Sequence, residues 1–217
     1  MKLLVTTFLS LDGVMQAPGG PDEDREGGFD HGGWLAPFAD EDMMRFVVEW
    51  IGQADGFLLG RKTYEIFAAH WPRMTDPADL VARALNTLPK YVASRTLDRV
   101  EWNNSTLLQG DVASEIRKLK DRPGRELQVH GSGGLAQTLI GNDLVDEYRL
   151  WSFPVVLGRG KRLFGSGTGP AATFRLVDSR TTSTGVAIHT YARAGDVQHG
   201  SVEATEWREK FQHKSGA

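Results

Sequence analysis

The feature that most constrains this chain is an alternation. Short apolar runs bounded by turn residues recur along it, at residues 2–9, 56–60, 90–95, 104–109, 126–130, 146–154, 174–182 and 186–193, and stretches with helical apolar spacing lie between them. Runs of this length suit buried strands, and their alternation with helices is the pattern of an α/β sheet covered by helices. The expectation is a mostly parallel sheet of about eight strands with about five helices.

The intervening stretches carry their own signals. Over residues 41–53, Met43, Val47, Trp50 and Ile51 form one apolar stripe, and Asp40, Glu41 and Asp42 complement the helix dipole at its start. A helix is predicted to open at Asp76, with Pro77 in its first position and Leu80, Val81, Ala84 and Leu85 facing inward. Another starts after Asp111 with Val112, Ile116 and Leu119 inward. Near the end, FRLVDSRTTSTGVAIHTYARA holds two alternating runs joined by Thr184 and Gly185, the pattern of an antiparallel hairpin, so the sheet is expected to be mixed.

With 217 residues, 40% hydrophobic and 24% charged, the chain suits one domain. That domain is expected over residues 1–194, with 195–217 as an ordered arm or a frayed tail. A net charge of -3 offers no cationic field for nucleic acid or an acidic membrane. The absence of cysteine removes disulfides and thiolate metal sites. No apolar run approaches the roughly 18 residues of a membrane helix, and LLVTTFLSL at the start reads as a first strand, so a cytoplasmic protein is expected. Residues 16–33, QAPGGPDEDREGGFDHGG, read as a long mobile loop over one end of the sheet.

Three strand ends carry groups suited to phosphate. In ELQVHGSGGLAQTLI a strand passes through a glycine turn into a helix. Gly131, Gly133 and Gly134 let backbone approach a ligand, while Ser132 and the free helix N–H groups favour an anion. The turn reads either as a pyrophosphate cradle or as a plain strand-to-helix turn. It also fits the dinucleotide fingerprint, with Ala136 in the third small position. The doubly wound fold, however, wants an acid about 20 residues on, where this chain has Pro154, Val155 and Val156, which disfavours a short dehydrogenase. In GFLLGRKTYEIF a strand ends at Gly60, and Arg61, Lys62 and Thr63 begin a helix; in YVASRTL another ends at Ser94, Arg95 and Thr96. Each is an anion site or a solvated turn when taken alone.

Taken in order, SLDG (residues 10–13), GRKTYE (60–65), SRT (94–96), VHGSGG (129–134) and DEYRLWSFPVVLGRGKRLF (146–164) resemble a known family. It is the reductase domain of the bacterial bifunctional deaminase-reductase of riboflavin biosynthesis, a relative of dihydrofolate reductase, and the resemblance spans residues 2–193. The resemblance implies a dihydrofolate-reductase-like fold and an NADPH site. Gly60, Arg61, Lys62, Thr63, Ser94, Arg95 and Thr96 would hold the adenosine 2′-phosphate end. Gly131, Ser132, Gly133, Gly134, Leu135 and Ala136 would wrap the pyrophosphate, and Gly158 would turn beside the active site. It also implies a small-molecule substrate and a homodimer. The 217 residues hold neither the cysteines nor the length for that family's zinc deaminase domain, so a stand-alone form is expected and the pathway stays open.

Asp12 reads as a polar contact to substrate or nicotinamide, or as a turn former before Gly13; Trp34 reads as an aromatic cover over the ligand, or as a core anchor. Tyr64 and Trp71 are weaker candidates of the same kind. The histidines lack paired metal-ligand spacing, so His130 reads as a strand residue and no metal is expected. The expected activity is NADPH-dependent reduction of a small heterocycle, resembling 5-amino-6-(5-phosphoribosylamino)uracil reductase or dihydrofolate reductase. The alternative is an NADP-binding protein of the same fold without turnover.

Overall fold

The computed structural model describes residues 1–165 and 169–200. Its sheet is built from β1 (Lys2–Ser10), β2 (Ala54–Gly60), β3 (Lys90–Ala93), β4 (Ser105–Leu107), β5 (Glu126–His130), β6 (Glu147–Phe153), β7 (Thr173–Thr181) and β8 (Ala187–Gly195). The spatial order is β4-β3-β2-β5-β1-β6-β8-β7. All pairings from β4 through β6 are parallel, while β8 runs antiparallel to both β6 and β7. The expected mixed sheet is therefore present, and its C-terminal hairpin folds back so that β8 inserts beside β6. Residues 201–217 of the predicted tail or arm lie outside the described residues.

Five helices cover the sheet: α1 (Glu41–Ile51), α2 (Arg61–His70), α3 (Leu80–Thr87), α4 (Val112–Lys120) and α5 (Gly133–Gly141). Strand side chains alternate between the faces. Leu3, Val5, Leu58, Leu127 and Val129 pack with Ile116 and Leu119 of α4 and Leu135 and Leu139 of α5. On the opposite face, Phe57, Leu59 and Val92 meet Ile51, Tyr64, Val81 and Leu85, and Trp151 meets Met43, Phe46 and Trp50. Apolar stripes on one side of each helix thus fix which face of the sheet it covers.

One helix start differs from expectation. Asp76 makes a turn by accepting from the N–H of Ala78 at 2.8 Å, and the cap is Asp79, whose carboxylate accepts from the N–H groups of Val81 and Ala82. Starting three residues later rotates the stripe: Val81, Ala82 and Leu85 are buried, whereas Leu80 is 41% exposed.

Beneath the end of α3 lies Lys90, fully buried, its Nζ donating to the carbonyls of Leu85 at 2.7 Å and Leu88 at 2.9 Å. The ammonium also stands 4.4 Å from the centre of the Trp102 ring. Burial pulls the amine down to about 8 from the 10.5 of a free lysine. The unfolded chain therefore holds this proton more tightly. The penalty is full below about 8 and is relieved as pH rises toward 10.5, so Lys90 contributes a rise in stability over that window. Urea unfolding near pH 7 and near pH 10 is expected to show a smaller gain for Lys90→Met than for the unsubstituted protein. An equal gain in both would contradict this account.

Candidate functional site

Parallel pairing brings the carboxyl ends of the strands to one edge of the sheet. Gly60 of β2 stands opposite Ala93 of β3, and Thr6 of β1 opposite His130 of β5. Helices that follow parallel strands begin at this edge, so their N-terminal N–H groups collect there. Asp40, Asp79 and Asp111 cap α1, α3 and α4 with their carboxylates. By contrast α2 begins after Gly60, and α5 after Ser132, without a side-chain cap.

These two uncapped ends are bolted together. Ser132, held at φ 63°, accepts through Oγ from the N–H of Gly60 at 2.9 Å and donates to Thr63 Oγ1 at 2.8 Å. Glycine at position 60 eases this approach, because a Cβ there would lie a tight 3.2 Å from the Cβ of Ser132. Gly133 and Gly134 differ. A Cβ on Gly134 would meet nothing within 4 Å, and one on Gly133 would only touch the Met15 sulfur at 3.7 Å. Packing within the protein does not require either glycine. Their smallness leaves open the space above the N-terminus of α5 that side chains would fill, where free helix N–H groups suit an anion. Leu135 and Ala136 are buried and anchor the helix, so only their backbone can face a ligand.

The other predicted binding residues continue this rim. Ser94 Oγ accepts from the N–H groups of Thr96 at 3.1 Å and Leu97 at 3.0 Å, shaping the turn beyond β3. Arg95 is exposed and has no acidic partner among the described residues. Arg61 lies along its own helix against Glu65 at 3.3 Å. Lys62 pairs with Glu26 at 2.6 Å and Asp24 at 3.2 Å. Tyr64 is committed elsewhere, since its hydroxyl accepts from the N–H groups of Glu101 and Trp102, and Trp71 packs against Phe67 and His70. An open groove of 1350 Å³ between α2 and residues 96–103 backs onto this rim and shares Thr96 with it.

The loop predicted over residues 16–33 is strapped to the 155–162 turn. Gln16 accepts from the N–H of Lys161 at 3.0 Å and donates to the carbonyls of Asp24 at 3.1 Å and Glu26 at 2.9 Å. Lys161 then reaches Asp24 at 2.6 Å and Glu26 at 2.7 Å. Lys161 and Lys62 together hold the Glu26 carboxyl down to about 2. For Asp24, burial pushes the carboxyl up, but the same two lysines prevail and the net movement is downward. Both acids are therefore ionised at neutral pH. Gly160, at φ 130°, lets the turn press into this strap, since a Cβ there would lie 2.5 Å from Val14 Cγ1.

Asp12 and Trp34 both have partners within the protein, and those of Asp12 lie largely in the 157–162 turn, a different turn from the one at Gly13. The Asp12 carboxylate accepts from the hydroxyl of Ser10 at 2.7 Å, the N–H of Leu157 at 3.1 Å, the N–H of Gly158 at 2.9 Å and Arg162 at 3.2 Å. The Ser10 hydroxyl, then the Leu157 amide, lowers its pKa. It clasps the turn in which Gly158 adopts φ 77°. Trp34 is 7% exposed, donates from Nε1 to the Gln16 carbonyl at 2.8 Å, and stands edge-on to Phe153 at 5.3 Å. It forms the inner wall of the strap.

Sequence reading missed the polar line under β5. Glu126, Gln128 and His130 alternate onto the face covered by α1 and α2, where Gln128 Nε2 donates to the Trp50 carbonyl at 2.8 Å and to Glu126 at 2.7 Å. Its Oε1 lies 3.2 Å from His130 Nε2. Polar residues at every second position of an otherwise apolar strand were the available signal.

Comparison with known proteins shows the family and the fold. The model of the RibD C-terminal domain family matches residues 1–188. YyaP of Bacillus subtilis, described as uncharacterized, is 33% identical over 145 residues, 66% of this chain and 76% of that protein. A Shewanella sp. PV-4 structure named for riboflavin biosynthesis superposes with a TM-score of 0.66 at 24% identity, covering 89% of this chain and 99% of that one. Dihydrofolate reductase from Enterococcus faecalis, solved with NADP(H), superposes with a TM-score of 0.55 at 14% identity, covering 88% and 96%. At those identities the two structures establish the shared fold.

Two substitutions probe the frame of the site. Ser132→Ala leaves the Gly60 N–H and the Thr63 hydroxyl short of a partner and is expected to cost about 1–2 kcal/mol in urea unfolding. Gly160→Ala is expected to loosen the strap, read as faster amide exchange at residues 14–17 and 24–28 while β1 stays protected. Unchanged exchange there would show that the close approach at Gly160 is not needed.

Proposed function

The chain belongs to the RibD C-terminal domain family, and on that premise we propose that it is a reductase that binds NADPH along the described rim and reduces a small heterocyclic substrate. The observation that carries this is the pair of bolted, uncapped helix N-termini, with open space above Gly133 and Gly134. Backbone N–H groups at Gly131–Gly134 suit the pyrophosphate. Lys62, Ser94, Arg95 and Thr96 suit the 2′-phosphate, with Arg95 free to meet it and Lys62 exchanging Asp24 and Glu26 for it.

The nicotinamide supplies the hydride when bound; the work left to the protein is positioning and exclusion of water. Phe8 and the strap wall at Trp34, both against Phe153, give the rim an apolar flank on the side away from Arg95. A second reading, binding without turnover, is favoured by one observation. Asp12, the candidate polar contact at the β1 end, is consumed by its four partners and held ionised.

NADPH at about a hundredfold above its Kd is expected to add roughly 2.7 kcal/mol of stability in a thermal shift. NADH is expected to bind more weakly, and Arg95→Gln with Lys62→Gln should narrow the difference. No shift with either cofactor would overturn the cofactor assignment. NADPH oxidation with any of a panel of pyrimidines, pterins and dihydrofolate separates a reductase from the second reading.

Homodimer formation is carried forward as part of the same proposal. The outer strand β7 leaves Leu176 and Val177 each 49% exposed, so pairing through that edge is the expected form. Sedimentation at micromolar concentration should give twice the chain mass; a single monomeric species would contradict it.

A further inference from the structure

Within the proposed reductase site, one side chain is fixed more tightly than a strand residue needs to be. His130 is the last residue of β5, immediately before the glycine turn, and is partly exposed. Its ring lies on the α1 and α2 face, 5.6 Å from the Phe57 ring and 6.4 Å from that of Phe67. The neighbouring strand residues toward the N-terminal side of this face, Leu4, Phe57 and Gln128, are buried, whereas Thr6, Phe8 and His130 are partly open. This face is therefore closed around Leu4, Phe57, Leu59 and Gln128 and partly open at Thr6, Phe8 and His130, which form a crevice at the rim.

The hydrogen bonds behind His130 run in one direction only. The Trp50 carbonyl is an acceptor, and the Glu126 carboxylate accepts when ionised, so the Gln128 atom bonded to both must be its NH2 group. Its Oε1 is then an acceptor, and His130 Nε2, at 3.2 Å, must carry the proton. Burial, with the Arg149 charge behind it, pushes the imidazole pKa down to about 4, so the ring is neutral at pH 7 and Nδ1 keeps its lone pair. The exit directions of the two nitrogens diverge widely in a five-membered ring. Nδ1 is not among the buried side-chain atoms left without a partner, so it keeps access to the rim. Nδ1 has no partner among the described residues.

We propose that His130 presents Nδ1 as a fixed hydrogen-bond acceptor to an N–H group of a planar heterocycle in this crevice, with its tautomer set through Gln128 by Trp50 and Glu126. The inference rests on the site reading above and makes His130 a specificity residue. It favours rings whose inward edge carries amino or imino N–H and disfavours those presenting carbonyl oxygen or N-methyl there. The N–H source is the substrate ring or the carboxamide of the nicotinamide, and the test separates them.

Nitrogen-15 NMR of the ligand-free protein should show His130 with a protonated Nε2 and a bare Nδ1 at neutral pH; the reverse tautomer would overturn the proposal without any ligand. NADPH alone, and then NADPH with 2,4-diaminopyrimidine or 1,3-dimethyluracil as probes, are added in turn. An upfield move of the Nδ1 signal with NADPH alone assigns the carboxamide; a move only with diaminopyrimidine assigns the substrate ring. No move in either case, or an equal move with dimethyluracil, overturns the proposal. In the second case His130→Leu should weaken diaminopyrimidine by about tenfold or more, and His130→Gln, which keeps a donor inward and an acceptor outward, should recover most of it. Failure of the cofactor reading would show separately, as unmoved amide signals at Gly131–Gly134 on adding NADPH.

Discussion

Everything at the rim depends on β1 pairing in parallel with β5 on one side and β6 on the other. Parallel neighbours force each return of the chain to cross over a face, so successive helices start from the same edge where strands end. Two strands that lie far apart in sequence, β2 and β5, then become adjacent, and Gly60 comes within reach of Ser132. Antiparallel pairing at this place would have sent the two helix N-termini to opposite ends of the sheet. The hairpin of β7 and β8 sits outside the parallel block and leaves that edge undisturbed.

The same pairing creates a cost beneath the sheet. Arg149 of β6 is buried with Glu126 at 3.5 Å and Glu147 at 3.8 Å, its guanidinium 4.3 Å from the centre of the Trp50 ring and its Nε without a hydrogen-bond partner among the described residues. Lys2 closes the group from the edge, 2.8 Å from Glu147. Burying charge in this way rarely adds net stability, because desolvation offsets the attraction. What it does supply is direction. The carboxylate of Glu126 orients Gln128, and Gln128 orients His130, so an expensive cluster in the interior ends in a defined hydrogen-bonding group at the rim.

What could be read from sequence follows the range of the interactions involved. Strand positions, the Asp40 and Asp111 caps and the glycine turn depend on residues a few positions apart, and these were legible. Asp76 misled because Asp–Pro suits both a helix start and a turn, and only the bonds from Val81 and Ala82 to Asp79 decide between them. Asp12 and Trp34 were legible as special but not in role, because their partners at Leu157, Gly158 and Phe153 lie more than a hundred residues away. The Asp24, Glu26, Lys62 and Lys161 cluster was hidden for the same reason. In the sequence its acids belong to a glycine-rich loop and its lysines to two unrelated segments.

That cluster has a consequence of its own. It contains two carboxylates and two ammonium groups, so it is electrically neutral. Seen from several Debye lengths away it offers a polyanion almost nothing, and the whole chain, with a net charge of -3, adds no pull. In the proposed cofactor complex, attraction at Lys62 would develop only at contact, when a phosphate displaces the carboxylates. On that proposal, capture and grip would be separated in space. Of the rim cations Arg61, Lys62 and Arg95, only Arg95 is without an acidic partner among the described residues, so on the proposed reading it would act at a distance and Lys62 after arrival.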